Sequence, residues 1–208
     1  SKNRTLLVDE AQGPHFGFNL ALPKSAGDFA DAWVQSPHKM LTSLTQSAWL
    51  HVKGDRINKR HLRTFLKLVT STSPSYILMA SLDMARGIME ADGKALTERA
   101  LELADTARCY INKFTPSYAV GAEVIGKNGI YDIDLSRLMI NVSVSGYTGY
   151  EVEEQLRSNF NIYAEYADLC NVYFLVTFSN SWDDIEKLLK ALSTFKTKGS
   201  FKKSIIWT

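Results

Sequence analysis

Apolar positions recur along the chain with two different periods, and the change of period marks out its elements. Thr5–Asp9 is a short apolar run ending in Asp-Glu, as expected of a buried parallel strand whose C-terminal end meets a site. A loop rich in Gly, Pro and His follows over 12–18, and 32–36 and 47–52 are two further strand candidates. From Asn58 to Val69 the apolar residues Leu62, Phe65, Leu66 and Val69 fall at offsets 3, 4 and 7, which predicts an amphipathic helix. The polar loop 70–75, with Pro74, leads into a predicted helix over 76–91 that Gly93 should end. Leu96, Ala100, Leu103, Ala107 and Ile111 then mark another long amphipathic helix, stopped by Pro116.

From Ser117 the texture changes to short strands and capped helices. Segments 137–144 and 171–178 are strongly strand-like, and 162–166 is a weaker candidate. Thr148-Gly149-Tyr150-Glu151 has capping-box spacing ahead of Val152 and Leu156. Ser181-Trp182-Asp183-Asp184 repeats it with Asp at the third helical position, opening a helix with Ile185, Leu188, Leu189 and Leu192 inward. This alternation predicts an α/β class with a division of the chain into 1–116 and 117–208.

Composition narrows the function classes. The 208 residues, 45% of them hydrophobic, suffice for one generous domain or one plus a smaller one. With 24 basic and 22 acidic residues the net charge is +2, which gives no reason to expect a polyanion as partner. The basic stretch Lys53, Arg56, Lys59, Arg60, Arg63 and Lys67 reads as a solvated helix face, because 59, 63 and 67 lie opposite Leu62 and Leu66; no nucleic acid is expected. The tail lysines 196, 198, 202 and 203 read as solvated too, and no apolar run is long enough for a membrane span. Cys109 and Cys170 form no disulfide framework, fit a reducing compartment and read as packing residues. No His, Cys or carboxylate cluster has metal-ligand spacing.

Candidate chemistry concentrates in Val34–Ala48. Lys39 lies just after a strand, beside His38, close to Ser36, and ahead of a run of small hydroxyl residues. A lysine forms a Schiff base only if its amine loses a proton readily, and confinement near another cation favours that. Small hydroxyl residues let a phosphate approach the backbone. Asp9, at the end of the first strand, could sit against the nitrogen of a pyridine ring and keep it protonated. By spacing alone this is one option among several: Leu6–Glu10 also has the look of a nucleotide-hydrolase strand, although G-x-x-x-x-G-K-[ST] occurs nowhere in the chain. His15 and Phe16, in the loop after Asp9, suit a structural role as well as a substrate contact.

The segment Val34–Ala48 resembles the cofactor-lysine signature of the bacterial ornithine/lysine/arginine decarboxylases, S-x-H-K followed by small residues and a Q. Ser36, His38, Lys39, Thr42, Ser43, Thr45, Gln46, Ser47 and Ala48 satisfy it throughout. Leu7–Ala11 is similar to the family's aspartate strand, and Thr72-Ser73-Pro74 to its Ser/Thr-Ser-Pro loop. Diffuse similarity continues through Ile140–Val142 and Thr148–Glu151 to the last helix, nearest the shorter members.

The resemblance implies an aminotransferase-like fold of type I, with the later part of a large domain that binds pyridoxal 5'-phosphate over 1–116 and a small α/β domain over 117–208. It implies that Lys39 holds the cofactor and returns a proton to Cα, and that His38 contacts the phosphate or assists protonation. Ser36 would bind the phosphate, Asp9 would pair with the pyridine nitrogen, and Ala11 would pack on the ring. Gln12 stands where many relatives carry His or Trp, and it cannot titrate. Thr72 or Ser73 would reach a phosphate in the neighbouring subunit of a homodimer or higher homo-oligomer.

The implied activity is cytoplasmic decarboxylation of a basic amino acid, within polyamine metabolism; which of arginine, lysine or ornithine is not readable. Two alternatives stay open: another reaction on the same fold, such as transamination or elimination, and a non-catalytic binding protein that keeps the fold. The resemblance also implies that the phosphate-binding turn and the ring-stacking residue lie before Ser1. On that reading the isolated 208-residue chain is a fragment that binds the cofactor poorly and does not turn over.

Overall fold

The structure, a computed structural model, describes residues 4–198. The chain divides into two compact units, Ser1–Thr97 and Glu98–Thr208.

In the first unit, three short strands form one sheet in the order β1 (Leu7–Asp9), β2 (Ala32–Gln35), β3 (Trp49–Val52). β1 runs parallel to β2, with Asp9 opposite Val34. β3 is antiparallel to β2, with Gln35 opposite Trp49. The antiparallel return follows from the connection: after β2 the chain holds only the four-residue α1 (Pro37–Met40), too little helix to carry it back over the sheet. The expectation of a buried first strand needs correction, since Leu7 is 68% exposed and Asp9 is exposed as well.

α2 (Lys59–Val69) is capped by Asn58, whose side chain accepts from the backbone of Arg60 and His61. Lys59, Arg63 and Lys67 are exposed as expected, yet the apolar face opposite them is open too: Phe65 and Val69 are exposed, and Leu62 and Leu66 only half-buried. The two helices expected on either side of Gly93 are one, α3 (Tyr76–Phe114). Gly93 does not break the helix because its missing side chain makes room for a neighbour. A Cβ there would stand 2.6 Å from the Phe18 ring.

The division at 97/98, rather than after Pro116, reflects where the later turns of α3 bury their apolar stripe. Leu103, Ala104, Ala107 and Ile111 are fully buried in the core of the second unit. That unit's sheet has the order β4 (Tyr118–Ala119), β5 (Arg137–Asn141), β7 (Asn171–Leu175), β6 (Tyr166–Ala167), antiparallel throughout. β4 has no counterpart in the sequence reading, where two residues carry no periodic signal. α4 (Gly149–Phe160) and α5 (Trp182–Leu192) bury Val152, Leu156, Ile185, Leu188 and Leu189 in the same core. Both open with the expected capping boxes. Gly149 is pressed against backbone, where a Cβ would meet the Asn171 carbonyl oxygen at 2.1 Å and that of Asp168 at 2.3 Å.

The Arg108 guanidinium is buried here, donating to the carbonyls of Val120, Leu135 and Arg137 at 2.8, 2.9 and 3.0 Å. Cys109 is exposed rather than packed, and Cys170 is half-buried; both are free thiols. Lys198 is no bare solvated lysine: it lies 4.0 Å from the Tyr147 ring centroid and 3.5 Å from Glu151. Lysines 202 and 203 lie outside the described residues. Among the described residues no helix is long and apolar enough to cross a membrane, and no cluster of His, Cys, Asp and Glu could hold a metal.

Candidate active site

The parallel pairing of β1 and β2 continues past the ends of both strands. Glu10 N donates to Val34 O at 2.9 Å, and Ser36 N donates to Ala11 O at 3.2 Å. Asp9, Ala11 and Ser36 therefore stand at the same C-terminal end of the pair, where ligands meet open α/β sheets. From Ser36 the chain turns at once into α1, with Pro37 at the first helical position supplying a φ already suited to a helix. Lys39 N donates to Ser36 O at 3.0 Å, so the lysine sits one turn beyond the strand end.

Asp9 Oδ1 accepts the N–H of Ala11 at 2.9 Å, which fixes the carboxylate in a local turn and leaves Oδ2 without a partner among the described residues. The Lys39 side chain is exposed and has neither hydrogen bond nor ion pair among the described residues. His38 Nδ1 and Ser43 Oγ are buried with no partner, although buried polar atoms are almost always paired. A bare carboxylate oxygen, a free amine and two orphaned polar atoms, all in or beside one signature segment, fit a ligand with a protonated ring nitrogen, an aldehyde and an oxyanion.

The loop after α1 is held in place: Leu44 N donates to Ser81 Oγ at 3.2 Å, and Ser81 donates to Leu78 O at 2.8 Å on α3. Gln46 adopts φ 68°, a left-handed conformation costly for a residue with a side chain. Gln12 is half-buried. Thr72 and Ser73 are not brought to Asp9 or Lys39 by any hydrogen bond among the described residues. They lie in the exposed loop between α2 and α3, where Ser71 Oγ accepts from Ser73 N at 3.2 Å. His15 is buried, its ring 4.8 Å from that of Phe16, in a tilted pair that suits the structural reading of that loop.

Glu10, Gln35 and His51 are residues to which the sequence reading assigned no role. Glu10 is buried and accepts from Gln35 Nε2 at 2.6 Å, and Gln35 Oε1 lies 3.0 Å from His51 Nε2. One signal was present: both Glu10 and Gln35 directly adjoin a signature residue. On their side of the sheet is a cavity of about 520 Å³, lined by Trp33, Gln35, Trp49 and His51 among others but by none of Asp9, Ser36, His38 or Lys39.

Comparison with known proteins decides the family. The Orn/Lys/Arg decarboxylase, major domain, matches residues 1–184. The chain belongs to the Orn/Lys/Arg decarboxylase family. Arginine decarboxylase from Bacillus subtilis is 40% identical over 189 residues, covering 90% of this chain and 39% of that protein. The arginine decarboxylase of Halalkalibacterium halodurans is 40% identical over 194 residues, with 93% and 40% covered. The chain thus spans about two fifths of the length of these relatives.

Among solved structures, the lysine decarboxylase of Francisella novicida superposes with a TM-score of 0.80 at 23% identity, over 91% of this chain and 32% of that one. A pyridoxal-phosphate-bound aminotransferase-like protein from Clostridium difficile superposes with a TM-score of 0.61 at 15% identity, over 92% and 49%. The fold of this decarboxylase-family chain is that of the fold-type I enzymes.

Proposed function

We propose that the complete protein is a pyridoxal-phosphate-dependent decarboxylase of a basic amino acid. The observation that carries this is the bond between Ser36 N and Ala11 O, which brings the Asp9–Ala11 turn beside the turn bearing Lys39. Arginine is the first substrate to test, because the 40%-identical relatives are named arginine decarboxylases.

Bound at this site, pyridoxal phosphate supplies an electron sink for the pair left at Cα when carbon dioxide departs. Asp9, through its unpaired oxygen, holds the proton on the ring nitrogen. The Lys39 amine would hold the cofactor and would carry the proton returned to Cα. Ser36 and His38 bind the phosphate, the orphaned Nδ1 of His38 being available for it or for assisting protonation. Ala11 offers a methyl group to the ring face, and Gln12 bounds the pocket without titrating.

The first unit is the later part of the cofactor-binding large domain, and the second its small α/β domain. A second subunit completes the site. Supporting this, the apolar residues Phe65, Val69, Tyr76 and Ile77 are 65–81% exposed on either side of the Thr72-Ser73 loop, a surface that calls for a partner. Thr72 or Ser73 then serves the neighbouring subunit's phosphate. Free Cys109 and Cys170 suit the cytoplasm.

The test is Lys39→Ala in the full-length protein, which should abolish both the visible absorbance of the bound cofactor and release of carbon dioxide from arginine, lysine and ornithine. Retention of both would overturn the assignment. A keto-acid product in place of carbon dioxide would move it to transamination, and absence of any cofactor spectrum in the unaltered protein would favour a binding role.

A further inference from the structure

Glu10 follows Asp9 and Gln35 precedes Ser36, so this pair adjoins both strand ends from which the site is built. The Glu10 carboxylate, only 8% exposed, accepts from Ala26 N at 2.5 Å, Ser25 Oγ at 3.1 Å and Gln35 Nε2 at 2.6 Å. A carboxylate can only accept, so Gln35 must present its amide nitrogen to Glu10 and its oxygen to His51. His51 Nε2, at 3.0 Å from that oxygen, must then carry a hydrogen. Burial holds the His51 pKa below its ordinary value against the opposing charge of Glu10, so the ring is the neutral Nε2–H tautomer near pH 7.

His51 is in turn held flat against Trp33, with ring centroids 4.7 Å apart and planes within 9°. Gly13 belongs to the same assembly, because a Cβ there would stand 2.6 Å from Glu10 Cγ. One chain of hydrogen bonds, buried at Glu10 and Gln35 and part-buried at His51, thus ties the end of β1, the end of β2, the middle of β3 and the turn at Ala26.

We propose that Glu10, Gln35 and His51 are positioning residues that hold the Asp9–Ala11 turn and the Ser36–Lys39 turn at a fixed separation. The inference rests on the function proposed above. The backbone alone is a weak tie here: β1 and β2 share three paired positions, and parallel ladders are the less stable kind. Any sliding of one strand end past the other would strip a buried carboxylate of its donors, a much steeper restraint.

The test uses the full-length protein and titration with pyridoxal phosphate, reading the dissociation constant and the absorption maximum of the bound cofactor. Gln35→Glu sets carboxylate against carboxylate and breaks the chain. The double variant E10Q/Q35E restores it with the pair exchanged: Gln at 10 donates to Glu at 35, which accepts from His51. Gln35→Glu should weaken cofactor binding about tenfold and shift the absorption maximum, with the double variant returning both to within about twofold of the parent.

Gln35→Leu, which severs the same links with no added charge, should behave like the single variant and serves if that one does not fold. A lower melting temperature of the cofactor-free protein, with affinity and absorption maximum unchanged, would mean a purely structural role and overturn the inference. A parent protein that binds no pyridoxal phosphate would overturn the functional reading itself.

Discussion

Ser36 donates its backbone N–H to the carbonyl of Ala11 at 3.2 Å, and through that one bond two motifs 25 residues apart become neighbours. The arrangement assigns separate tasks to the carboxylate and the amine. Asp9 is held by its own turn, through Ala11 N at 2.9 Å, and needs no charge for that bond. Asp9→Asn should therefore keep the fold, since an amide oxygen accepts the same N–H, while losing the charge that keeps a ring nitrogen protonated. In the full-length protein carbon dioxide release should fall about a hundredfold or more with an unchanged melting temperature, measured by a coupled carbonate assay beside a thermal melt.

The long helix offers a matched pair of glycines. At Gly93 a Cβ would press into the Phe18 ring at 2.6 Å, whereas at Gly87 nothing lies within 4 Å. Alanine is favoured over glycine by about 1 kcal/mol in a helix interior, so Gly87→Ala should raise the urea midpoint. Gly93→Ala should lower it, because overpacking costs about 1–3 kcal/mol and outweighs the gain. Equal shifts of the same sign would show that Phe18 yields.

Arg108 donates to three backbone carbonyls of the second unit, those of Val120, Leu135 and Arg137. Arg108→Met fills much of the volume and abandons those acceptors. Denaturant unfolding should show a loss of about 3 kcal/mol or more, far above the effect of truncating an exposed arginine.

The cap of α5 should carry an acid-sensitive share of stability. Hydrogen bonds from the backbone and side chain of Ser181 hold the Asp184 carboxyl below its ordinary pKa. A depressed carboxyl stabilises the folded state above the unfolded pKa, about 3.9, and that contribution fades as pH falls through the folded value. The stability gap between the parent and Asp184→Asn should be present at pH 7 and shrink steadily below about pH 4, read from melts across that range. A gap independent of pH would assign the cap's effect to shape alone.

Local rules made much of the secondary structure legible. Asn58 caps α2, and Thr148 and Ser181 open α4 and α5 with reciprocal bonds, because a cap needs only residues within one turn. The same locality explains the errors. Gly93 reads as a helix breaker until Phe18, 75 positions earlier, is seen to occupy the space its side chain would fill. Leu7 reads as buried because it is apolar, and α2 reads as amphipathic against a core, yet both apolar surfaces are open.

The sequence by itself determined the family, the signature lysine and the aspartate strand, since these are chemical identities in fixed order along the chain. Tertiary structure decided which of them meet. Asp9, Ala11 and Ser36 converge because parallel pairing sets their register, while Thr72 and Ser73 lie on an exposed loop that no hydrogen bond among the described residues ties to them. It also gave roles to Glu10, Gln35 and His51, whose meaning lies in burial and mutual hydrogen bonding. Neither burial nor a contact between distant positions is written in local order, because both depend on how separate segments pack.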